Sequence, residues 1–153
     1  PVAGGPLAMA ALEELLSPIS DDRPGGEDVF YGEEFANLIA LHPGVADHAF
    51  LLACPCDINA WRRDMFERTG KPVFKGDLVK TSPIDLVDRI SRKTSITLFA
   101  GKRDTVAKPA LIEAYLAALL GAGKRAELHA IDAGHEIFLR PEVLYEVADA
   151  IGE

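Results

Sequence analysis

The sequence predicts an α/β fold: a short parallel sheet with flanking helices. Three observations carry this. Apolar runs of strand length recur at residues 49–53 (AFLLA), 95–100 (SITLFA) and 126–131 (AELHAI). The first two are continuous rather than alternating, which fits strands covered on both faces. Segments of helical period stand between and after the runs, and strands alternating with helices form parallel sheets with right-handed crossovers, here a three-layered arrangement.

The elements follow in order. Residues 10–16 predict a short apolar-acidic helix, ended at Ser17 because a residue before proline (Pro18) is pushed out of the α region. Residues 20–28 (SDDRPGGED) are loop by composition, with Gly25 and Gly26 freeing the backbone. Residues 33–41 predict a helix ending at His42, Pro43 and Gly44. After the strand at 49–53, residues 60–69 predict a polar helix stopped by Gly70, and residues 71–80 are basic without a clear period. Ser82 can cap a helix, Pro83 suits its first position and Asp85 completes a capping box. Ile84, Val87 and Ile90 would bury one face of it.

The strand at 95–100 is followed by a helix over 108–120, in which Ile112, Tyr115, Leu116 and Leu119 repeat at helical spacing. Gly121 and Gly123 end it. After the strand at 126–131, Pro141 opens the last helix, with Leu144, Val147, Ala148 and Ile151 as its expected apolar stripe.

Composition bounds the function. At 153 residues the chain has the length of one domain, and 48% hydrophobic against 26% charged is a globular balance. A net charge of -8 argues against nucleic acid as a partner, because phosphates demand a basic surface. No apolar run reaches the ~18 residues of a membrane span, so no membrane association is expected. Residues 1–8 lack a basic n-region and a long apolar stretch, so no signal peptide is expected. Cys54 and Cys56 flank Pro55. So close a pair is not expected to reach disulfide geometry; its spacing is neither C-x-x-C nor a zinc pattern. The two are expected to be small buried residues at a strand end. Missing export signals and a missing disulfide scaffold point to a cytoplasmic chain.

Parallel sheets place their sites beyond the C-terminal ends of their strands. After the second strand comes Gly101-Lys102-Arg103-Asp104, and after the third Asp132-Ala133-Gly134-His135-Glu136. Asp104 and His135 therefore share a rim, in acid-before-histidine order. An aspartate beside a histidine holds the imidazole tautomer and stabilises the imidazolium. These two are the candidate catalytic residues. A metal site of His135, Asp104 and Asp132 is a lesser alternative without H-x-x-H or H-E-x-x-H spacing; no cofactor is expected. Asp57, at the same rim, reads as a turn or helix cap. Trp61, Phe66 and Phe74 are candidates for an apolar pocket, with core or lid packing as the plainer reading.

Residues 96–107 (ITLFAGKRDTVA), 110–124 (ALIEAYLAALLGAGK), 126–131 (AELHAI) and the GHEIF turn at 134–138 resemble the C-terminal part of an α/β-hydrolase of the dienelactone-hydrolase or prolyl-oligopeptidase type. The resemblance extends through LIALHPGV, AFLLACPCD and SPIDLVDRI to cover about residues 38–153. It implies a partial α/β-hydrolase fold, the family's acid at Asp104, its histidine at His135, and hydrolysis of a small ester or amide. The sequence departs severely from the family: no G-x-S-x-G nucleophile elbow stands upstream of Leu38, and the family's first several strands and oxyanion-hole loop have no room. Ser17 and Ser20 read as residues at a helix end. Cys54, at the rim, is a weak substitute, since a reactive thiolate needs an electropositive setting.

Residues 12–35 (LEELLSPISDDRPGGEDVFYGEEF) resemble instead the N-terminal stretch of the type VI secretion ImpA/TssA family. The chain thus divides into an acidic N-terminal arm, 1–37, and a hydrolase-like domain, 38–153, that lacks the nucleophile half. A gene fusion, an internal deletion and an engineered chimera all fit this division. The functional expectation is a hydrolase-like domain, ancestrally a serine hydrolase, whose nucleophile lies outside the chain or is absent. The alternative is a non-catalytic interaction or assembly module, related to type VI secretion through the arm. An unpaired apolar edge at 49–53 would be a template for another strand, so residues 1–36 or a second copy of the chain are expected to cover it.

Overall fold

The computed structural model describes residues 35–72 and 82–152. A helical segment at 35–41 leads into β1 (His48–Leu52), α1 (Ile58–Thr69), a first 3-10 helix (Pro83–Arg89), β2 (Ser95–Gly101), α2 (Pro109–Gly121), β3 (Arg125–Ile131), a second 3-10 helix (His135–Leu139) and α3 (Pro141–Gly152). The strands form one parallel sheet in the order β1-β2-β3. Leu52 is opposite Phe99, and Gly101 opposite Ile131. The expected helix at 10–16, the loop at 20–28, the ImpA/TssA-like residues 12–34 and residues 73–80 of the basic stretch lie outside the described residues.

Side chains alternate across the sheet and build a core on each face. Ala49, Leu51, Ile96, Leu98 and Ala100 face one way, against Ile112, Tyr115 and Leu119 of α2, Leu86 and Val87 of the first 3-10 helix, and Ala36, Ile39 and Ala40 of the 35–41 segment. Phe50, Leu52 and Phe99 face the other way, against Ala107, Ala133, Ile137, Val143 and Val147. β2 is covered on both sides, and six of its seven residues are buried, which accounts for its unbroken apolar run. The 35–41 segment crosses the expected boundary at 37/38, with Ala36 in the same core as Ile39.

Local signals act where they stand in the sequence. Asp57 caps α1, its Oδ1 accepting from the Ala60 N–H at 3.0 Å. Gly70 ends α1 in the left-handed region, φ 68°, where a Cβ is costly. The Asp85 carboxylate accepts from the Ser82 N–H at 3.3 Å, and the Ser82 hydroxyl accepts from the Ile58 N–H at 3.1 Å. The capped segment is a 3-10 helix. Its apolar residues Ile84, Val87 and Ile90 recur every third position, the repeat that 3-10 geometry eclipses on one face.

Three expectations are corrected. First, Cys54 and Cys56 form a disulfide. In a fully extended chain, residues two apart stand up to ~7 Å apart, but here the Cα atoms are 5.2 Å apart, within the usual ~4.4–6.8 Å. Both cysteines are buried just beyond β1, as expected of their position. The disulfide removes one of the two grounds for a cytoplasmic location. Second, the stripe of α3 is rotated: Val143 is buried and Val147 packs on the core, whereas Leu144 is 53% exposed and Ala148 is exposed. The packing of Val143 and Val147 with Phe99, Ala107, Ala133 and Ile137 sets the phase of the helix against the sheet. Third, β1 begins one residue early and ends at Leu52. Ala53 turns the chain with φ 51°.

Among the described residues, no helix is long and apolar enough to cross a membrane.

Candidate active site

β2 and β3 run side by side, and their pairing continues past the strand ends. The Lys102 N–H bonds to the Ile131 carbonyl at 2.8 Å and the Arg103 N–H to the Ala133 carbonyl at 3.0 Å. The two loops are thereby laid against each other in register. Gly101 makes this approach sterically possible. A Cβ there would stand 2.6 Å from the Ala133 carbonyl oxygen, and would also clash with the Gly134 carbonyl. The glycine lies at a strand end in the sequence, but its role comes from the neighbouring backbone.

Within this frame, His135 Nδ1 lies 2.9 Å from Asp104 Oδ2. The Asp104 side chain is wholly buried, while that of His135 is 38% exposed. A buried carboxylate is unfavourable unless its oxygens are satisfied. Here Oδ1 accepts from the Val106 N–H at 2.8 Å and the Ala107 N–H at 2.9 Å, and Oδ2 is turned to the imidazole. An ionised carboxylate only accepts, so Nδ1 carries the donated proton. The hydrogen bond to Asp104 is the largest cause of a raised His135 pKa; burial opposes it, and the Asp104 and Glu136 charges add to it.

Other sequence candidates separate from this pair. Asp132 is paired on the surface with Arg103, Oδ1 to Nε 2.9 Å. Among the described residues no three His, Cys, Asp or Glu side chains group as metal ligands. Cys54 is held in the disulfide, which leaves it no thiolate in this state. Phe66 is 53% exposed and Trp61 is buried, its Nε1 donating to the Val106 carbonyl at 2.8 Å. Phe74, Ser17 and Ser20 lie outside the described residues. Ala53 was not among the candidates, yet its side chain packs with Ala107 and Ala133 in the core beneath the two loops.

A cavity of about 450 Å³ lies elsewhere, lined by His48, Ser95, Thr97, Lys124, Arg125 and Glu127 among others. These residues begin the strands, so the cavity stands at the opposite end of the sheet from Asp104 and His135. Its histidine, His48, has its pKa lowered chiefly by burial.

No protein-family model and no curated protein matches the sequence. Among solved structures, the chain is similar to one described as a dienelactone hydrolase from Klebsiella pneumoniae subsp. pneumoniae, at 18% identity and a TM-score of 0.47. That match covers 69% of this chain and 37% of the other, so the chain spans little more than a third of that structure's length.

Proposed function

We propose that the described domain is the acid-and-histidine part of a serine-hydrolase-type α/β-hydrolase acting on a small ester or amide. The observation that carries this reading is the 2.9 Å contact between His135 Nδ1 and Asp104 Oδ2, formed beyond the C-terminal ends of two adjacent parallel strands. Asp104 orients the imidazole and stabilises its protonated form, which assigns proton exchange with a reacting group to Nε2. No G-x-S-x-G elbow is present in the chain, so the nucleophile lies outside it or is absent. Hydrolysis of a chromogenic short-chain ester tests the reading. Turnover that disappears in His135→Ala supports it; no turnover above buffer, unaltered by that substitution, rejects activity for this chain.

A second reading has its own support. The missing elbow favours a non-catalytic interaction or assembly module, with the 1–37 arm, ImpA/TssA-like in sequence, as the mediator. β1 is an edge strand among the described residues, and an apolar edge invites pairing with a second copy. Sedimentation of the full chain against one lacking residues 12–35 separates the readings: loss of self-association on deletion favours the module, and a monomer in both forms rejects it.

A further inference from the structure

The Asp104 loop is gripped from a third element besides β2 and β3. Trp61 is the one tryptophan of the chain and is 3% exposed on α1. Its indole Nε1 donates to the Val106 carbonyl at 2.8 Å, while the N–H of the same Val106 donates to Asp104 Oδ1 at 2.8 Å. Three positions on along α1, and therefore on the same face, Asp64 Oδ1 accepts from Lys108 Nζ at 2.7 Å. Lys108 closes the loop where α2 begins. Two side chains of one helix face thus hold the segment 106–108, whose first two N–H groups seat the carboxylate. α1 is itself anchored at its start by the Asp57 cap and by the bond from the Ile58 N–H to Ser82.

We propose that Trp61 is a positioning residue of the Asp104–His135 pair: by fixing Val106 it sets the place of the Asp104 carboxylate, and through it the orientation of the imidazole. The proposal rests on the reading of that pair as orienter and base. Residues 61 and 104 belong to different elements, so a packing role alone would give Trp61 an effect on stability and none on the histidine.

The test is an NMR titration of His135 in the full-length chain as wild type, Trp61→Phe and Asp104→Asn. Phenylalanine keeps most of the buried apolar volume and removes the N–H donor. A loosened carboxylate holds the imidazolium less well, so the His135 midpoint in a folded Trp61→Phe is expected below wild type and toward that of Asp104→Asn. A midpoint equal to wild type in folded Trp61→Phe overturns the proposal. If Trp61→Phe does not fold, the wild-type indole N–H decides, since a single tryptophan gives a single signal. An indole signal that follows the His135 titration, and ceases to follow it in Asp104→Asn, upholds the proposal; one that stays flat overturns it. The ester assay remains separate: absence of wild-type turnover rejects activity for this chain and leaves the titration to judge Trp61.

Discussion

His135 and Asp104, thirty-one positions apart, meet at 2.9 Å between Nδ1 and Oδ2, with the carboxylate's other oxygen held by two backbone N–H groups of its own loop. The acid is buried and the base half-exposed, an arrangement that fixes one partner and leaves the other within reach of solvent.

Replacing Asp104 by alanine orphans the Val106 and Ala107 N–H groups as well as the imidazole. A buried unsatisfied donor costs about 1–3 kcal/mol; with Ala107 buried and Val106 half-buried, Asp104→Ala is expected to lower unfolding stability by at least about 1 kcal/mol. Urea unfolding at neutral pH checks this; a loss within about 0.5 kcal/mol, the range of ordinary surface substitutions, contradicts it.

The pair also makes stability depend on pH. The folded pKa of His135 is raised above its ordinary value, through the Asp104 hydrogen bond first. Its contribution is therefore fully present below the unfolded pKa of ~6.5 and is lost as pH rises through the folded value. The stability difference between wild type and His135→Gln should shrink on going from mildly acidic to alkaline pH. A difference that grows with pH would show the opposite linkage.

At Gly101, an added methyl group meets the Ala133 carbonyl oxygen at 2.6 Å, with the Gly134 carbonyl beside it. Both obstacles are backbone, so the loops must part. Overpacking of this kind costs about 1–3 kcal/mol, and Gly101→Ala should also widen the separation of Asp104 and His135. Thermal unfolding and the His135 titration report the two effects. A substitution that is silent in both would mean the loops yield without cost.

The Cys54–Cys56 disulfide closes a very short loop. Chain-entropy reasoning gives such a closure only about 1–2 kcal/mol. The denatured chain should present no free thiol before reduction and two after it, and reduction should lower stability by no more than that small amount. Two thiols in the unreduced denatured chain would remove the disulfide from the account.

Some of this was legible in the sequence because it is written in local physics. Strand-length apolar runs placed β1, β2 and β3 to within a residue or two. Asp57, Gly70, Ser82, Pro83 and Asp85 marked helix ends because a cap is a contact between near neighbours. Strand order then put Asp104 and His135 on one rim. Tertiary structure decided the rest. The 2.9 Å bond between that acid and base, the hold of Trp61 on Val106 and the need for glycine at position 101 join residues about thirty or more apart in the chain. The phase of α3, Val143 inward and Leu144 outward, was decided by the packing of Val143 and Val147 into the core with Phe99 and Ile137, since either apolar stripe satisfies the helical period. The disulfide required the bend of a three-residue segment, which residue types at that spacing do not specify. A sequence pattern records which side chains prefer burial and where a helix or strand can begin; which distant groups meet there is fixed only when the layers pack.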